Sequence, residues 1–161
     1  MTPGGPLPAS HVHPVPKGGS IDIVGNEIHL LDAAKKVVHV AQVNNTELSG
    51  WQDGYIAYAA WLNTHASSSQ ISYFNTTWSV PPAPATYNGQ LVYLYTGMKP
   101  ADYGAILQPI LQYGVSPAGG GAYWSVANWY VTETDAYYTS LVDVAVGKAF
   151  IRKPVSWHLT T

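Results

Sequence analysis

Short runs of β-branched and aromatic residues, cut repeatedly by Gly, Pro, Asn and Asp, run through most of this chain and leave no convincing amphipathic helix. The runs fall over residues 70–80, 90–96, 105–115, 123–132 and 137–146. Their separators are turn chemistry: Pro81-Pro82, Asn88-Gly89, Lys99-Pro100, Pro117 to Gly121 and Asp135. Strands of this length need a second sheet to bury their inner faces, so the pattern predicts an all-β fold, an antiparallel sandwich or barrel.

Ahead of these runs lie two different segments. Residues 1–19 are rich in Pro and Gly, lack apolar periodicity, and read as an extended, polyproline-like leader. From Ser20 the pattern is Ile21 and Ile23, then Gly25-Asn26, then Ile28 and Leu30, then a polar turn over 32–36, then 37–43. That alternation predicts a small three-stranded β-meander over residues 20–48, a candidate pro-region. The remainder, 49–161, is assigned to the sandwich. Residues 51–64 fit a strand or a short helix equally well, and the C-terminal residues 152–161 do not read as a strand. No internal repeat is evident.

Composition narrows the partners. Only 10% of the 161 residues are charged, with seven Lys+Arg against nine Asp+Glu, so no basic stripe exists to meet a phosphate backbone and nucleic acid is not an expected partner. No apolar run reaches the roughly 18 residues of a membrane helix, and the first twenty residues lack the regions of a signal peptide. The absence of Cys excludes disulfides, thiolate metal sites and a Cys nucleophile. Asn44 and Asn75 head glycosylation sequons, a mild lean towards secretion.

Chemical constellations are sparse. His11 and His13 alternate as two metal ligands would, but no carboxylate or third His stands beside them in the sequence, and no metal site is expected. His29 and His39 flank turns of the meander and are expected to approach as a cross-strand pair. Glu133 and Asp135 read as a solvated loop, and Gly119-Gly120-Gly121 as a hairpin loop, since it lacks the Lys and Ser/Thr of a phosphate loop. No cofactor motif is present. What remains is a surface of rings and amides: Trp124, Trp129, Tyr130, Tyr137 and Tyr138 beside Gln108, Gln112 and Asn128. Strand alternation puts Trp124, Asn128 and Tyr130 on one face and Trp129 on the other. One face is expected to be core, the other a concave surface for a glycan or a peptide backbone, where rings stack and amides donate and accept.

These same residues carry a family resemblance. The run from Ala105-Ile106-Leu107-Gln108 to Gln112-Tyr113-Gly114-Val115, then Tyr123-Trp124, Trp129-Tyr130 and Val144-Ala145-Val146-Gly147 ahead of Ala149-Phe150-Ile151, resembles the first half of the fungal glutamic peptidases, the eqolisins. Thr77-Trp78-Ser79-Val80-Pro81 sits where their V-P strand end would fall. The resemblance implies a secreted, extracellular two-sheet sandwich of concanavalin-like shape, acting on peptide bonds in acid through a Gln/Glu pair. It maps the catalytic Gln, whose amide steadies an oxyanion, onto Gln112 by one motif and Gln108 by another. Trp124, Asn128, Trp129 and Tyr130 then line the substrate groove, with Asn128 where the family carries a Glu. The general-base Glu belongs to a later strand, so the sandwich is expected to be incomplete at its C-terminus and catalytically incomplete in this chain; if active, the resemblance implies an acid glutamic endopeptidase. The alternative is a lectin-like module binding a glycan in the same groove; a third reading is a secreted surface protein with no small ligand.

Overall fold

The computed structural model describes residues 1–43, 56–63, 74, 76–99, 104–152 and 157–160. The described chain is an all-β sandwich. One layer has six strands: β6 (Val92–Tyr95), β7 (Ala105–Ser116), β8 (Gly119–Thr132), β9 (Ala136–Tyr138) and β1 (Val12–Pro14) lie side by side, and β10 (Val142–Asp143) also pairs with β8. The other layer has four, in the order β12 (Trp157–Thr160), β2 (Ser20–Val24), β3 (Glu27–Leu31) and β4 (Val37–Gln42). A two-stranded ribbon joins β5 (Thr76–Ser79) to β11 (Ala149–Arg152). Pairing is antiparallel except at two places, β1 on β9 and β12 on β2, where chain ends add in parallel.

The meander forms where the alternation places it. Ile21 pairs with Leu30 and Ile23 with Ile28, so all four side chains share one face. Gly25, at φ 59°, makes the first turn. Asp32 builds the second: its Oδ1 accepts from the backbone N–H of Ala34 at 2.8 Å and of Lys36 at 3.0 Å. The apolar face packs with Ala105, Leu107, Tyr130 and Tyr137 of the large sheet, so meander and long hairpin share one core. Fully burying side chains of this size contributes about 1.5–3 kcal/mol each. A second core, around Leu111, Tyr113, Trp124 and Val126, closes with Val80 and Trp78 beside the ribbon.

Three expectations change. The Pro-rich leader is not merely extended: β1 adds to the edge of β9, with Val12 opposite Ala136 and His13 opposite Tyr137. Proline is tolerated there because an edge strand has one side unpaired. The C-terminal segment read as non-strand contributes β12, whose backbone completes the open edge of β2. The triple glycine is not itself the loop; Pro117-Ala118 make the turn, and Gly119–Gly121 pair with Gly114–Ser116 at the start of β8. Residues 56–63 form neither strand nor helix. Asn44 and Asn75 lie outside the described residues.

Candidate functional site

The long β7–β8 hairpin carries nearly every predicted site residue, and its register sorts them. Gln108 pairs with Trp129, Gln112 with Ser125, Pro109 with Asn128, Leu107 with Tyr130 and Tyr113 with Trp124. Directly opposed residues point the same way, so Gln108, Gln112, Ser125 and Trp129 share one face while Trp124, Asn128 and Tyr130 share the other. The predicted alternation is observed, but the six candidates do not converge on one groove. Nor is one face open at this point of the hairpin, because all residues from Trp124 to Thr132 are buried. The meander and ribbon cover the second face. Leu7 and Val12 from the N-terminal segment, with Ala118 and Leu141, pack over the first.

On that first face the two glutamines differ. The Gln112 amide donates from Nε2 to Gly114 O at 2.8 Å and to Gly119 O at 2.9 Å. Backbone shape makes room for it: Gly114 and Gly120 hold φ values of 104° and 108°, and a Cβ on Gly120 would stand 2.6 Å from Gln112 Nε2. Gln108 is fully buried, and neither its Nε2 nor its Oε1 has a partner; Gln112 Oε1, Ser125 Oγ and Trp129 Nε1 are likewise unpaired. Trp129 itself packs against Tyr138 with ring centroids 5.1 Å apart.

Register extends this row beyond the hairpin. Tyr93 of β6 stands opposite Gln112, and Asp143 of β10 stands opposite Ser125, giving Tyr93, Gln112, Ser125 and Asp143 across four strands. Burial raises the Tyr93 phenol well above its ordinary range, against a smaller lowering by Ser116, and its hydroxyl donates to Met1 O at 3.1 Å. The outer end is open: Asp143 is exposed, and Tyr123, two residues from Ser125 where the β7–β8 register shifts, is 46% exposed. The Tyr123 ring lies over Gly121, where an added Cβ would stand 2.6 Å from Cε1.

On the opposite face, Trp124 packs edge-on against Tyr113 at 5.2 Å and Tyr130 lies 6.3 Å from Tyr137. These rings are core. Asn128 Nδ2 and Oδ1 are buried without partners, while its backbone N–H donates to Thr139 Oγ1 at 3.0 Å.

A second cluster lies in the seam between the layers, and sequence reading missed it. His39 sits opposite Leu30 on the inner face of the meander, so it turns away from His29, which pairs with Glu27 at 2.8 Å instead. The expected His29–His39 approach therefore fails on register. His39 meets His13, with ring centroids 4.1 Å apart, and His13 in turn stacks on Tyr137 at 5.1 Å. Asp135, read as solvated, is 8% exposed and lies 2.9 Å from His13 Nε2 and 3.3 Å from His11 Nδ1. Thr132 fixes the Asp135 turn, its hydroxyl accepting from Asp135 N–H at 2.9 Å and donating to Asp135 O at 3.1 Å. Burial works to raise the Asp135 carboxyl, but hydrogen bonds from His13 and Thr134 and the neighbouring imidazoles hold it below its usual value. Burial, helped by the charge of His13, lowers His39. The only sequence signal for this cluster was the His-x-His alternation in the leader.

Comparison with protein-family models, curated proteins and solved structures gave no match to this chain.

Proposed function

We propose that this chain is a non-hydrolytic carbohydrate-binding β-sandwich, secreted and related in design to the concanavalin-like eqolisins. The observation that supports it is the open end of the polar row, where the exposed Asp143 carboxylate stands opposite Ser125 and the exposed Tyr123 lies two residues before Ser125 along β8. A ring face stacks on the apolar side of a sugar, and a carboxylate accepts from adjacent hydroxyls. Against hydrolysis, Gln112 already spends its amide donor on two backbone carbonyls, and Asp143 lies two strands away from Gln112 across Ser125. Among the described residues, neither Asp143 nor any other group in this row is placed beside the Gln112 amide as a general base.

The test is a glycan array followed by calorimetry on the chain, its Tyr123→Ala form and its Asp143→Asn form. Both positions are exposed, so both variants should fold. The expected result is binding of a neutral glycan, weakened about tenfold or more by either substitution. Binding that survives both sinks the reading. Peptide cleavage at acid pH that disappears in Gln112→Ala or Gln108→Ala replaces it with the peptidase reading.

A further inference from the structure

Three residues distant in sequence bring metal-ligating atoms to one point. His13 comes from β1, His39 from β4, and Asp135 from the turn between β8 and β9, and their ligand atoms all lie within 4.8 Å of one another. We propose that His13, His39 and Asp135 form a divalent transition-metal site of the zinc class that fastens the N-terminal strand and the edge of the meander to the long hairpin.

Two independent observations point to a ligand here. The first is the convergence of two imidazoles and a carboxylate. The second is that His39 Nε2 is buried with no hydrogen-bond partner. An unpaired buried nitrogen is unfavourable unless something occupies its lone pair.

The donor set chooses the metal. Two nitrogens and one oxygen, with no Cys in the chain to supply a thiolate, suit Zn²⁺ and its borderline neighbours; Ca²⁺ and Mg²⁺ require mostly oxygen. Tetrahedral bonds of 2.0–2.1 Å space the ligand atoms about 3.3 Å apart. The His13–Asp135 pair at 2.9 Å is already close to that spacing, so coordination chiefly draws His39 inward. His11, whose side chain is 47% exposed and whose Nδ1 lies 3.3 Å from Asp135 Oδ1, borders the site outside the three converging ligands. The site is independent of the carbohydrate reading, because Tyr123 and Asp143 contribute nothing to it.

The experiment titrates the metal-free full chain with Zn²⁺ by calorimetry, with Ca²⁺ as the negative control. Co²⁺ in place of Zn²⁺ supplies a visible spectrum. One Zn²⁺ per chain with Kd below about 1 µM is expected, together with a rise in Tm of about 5 °C or more at 100-fold excess over Kd. His39→Ala should weaken binding about 100-fold, His11→Ala by less, and His29→Ala not at all. Should His39→Ala fail to fold, NMR of the parent decides: Zn²⁺ must shift the imidazole nitrogens of His13 and His39 and leave His29 unmoved. Failure to bind Zn²⁺, unchanged binding in a folded His39→Ala, or shifts confined to other histidines each overturn the proposal.

Discussion

Gln108 and Gln112 point to the same face of one strand, four residues apart and both fully buried, yet only Gln112 is hydrogen-bonded. Their substitutions should therefore differ in sign. Gln108→Met removes an unpaired amide from an apolar surrounding and should stabilise the protein by about 1 kcal/mol. Gln112→Met removes the two buried amide hydrogen bonds to the carbonyls of Gly114 and Gly119 and should destabilise by about 1–3 kcal/mol. Urea denaturation of the two variants checks this; equal shifts in midpoint would show that Gln108 is satisfied in solution.

The core shared by the meander and the hairpin makes a second prediction. Ile28 is fully buried and packs in the cluster that includes Leu107 and Tyr137. Ile28→Ala should cost about 2–5 kcal/mol and lower the melting point of the whole sandwich in a single transition. If instead the meander melts separately and the hairpin signal stays put, the two layers do not fold as one unit.

At Gly120 the constraint is steric. A Cβ there would stand 2.3 Å from Gly114 O, and φ is 108°, so Gly120→Ala must distort the hairpin end where Gln112 is held. A loss of at least about 2 kcal/mol is expected. Gly89→Ala is the comparison: its φ is also positive, at 81°, but no atom lies within 4 Å of the added Cβ. Thermal melts should show Gly120→Ala to be clearly the worse of the two.

Glu27 predicts a pH effect. The hydrogen bond from His29, then that from Gln42, holds its carboxyl below the ordinary value of 4.5. A depressed folded pKa means that the contribution is complete above the ordinary value and is lost as pH falls through the lower folded one. His29→Ala should move the Glu27 titration upward in carboxyl NMR. An unmoved midpoint would assign the shift to Gln42.

Much of the fold was legible because strands declare themselves locally. Ile21, Ile23, Ile28 and Leu30 alternate, and their turns carry Gly25 and Asp32; the hairpin faces followed from parity alone. The polar row was less legible. Gln112 and Ser125 become neighbours only through the β7–β8 register, and Asp143 joins them only because β10 returns to the edge of β8. Burial of both hairpin faces was not readable either, since it depends on which segments cross the sheet.

The seam cluster marks the boundary most clearly. By itself the sequence determined the all-β class, the meander, the faces of the long hairpin and the scarcity of charge, all of which follow from short-range periodicity and composition. Tertiary structure alone decided that a Pro-rich leader becomes an edge strand, that His39 faces inward, and that Asp135 meets both His11 and His13. The physical reason is that side-chain direction repeats every two residues and can be read along a strand, whereas the pairing of distant strands depends on the free energy of the whole packed core.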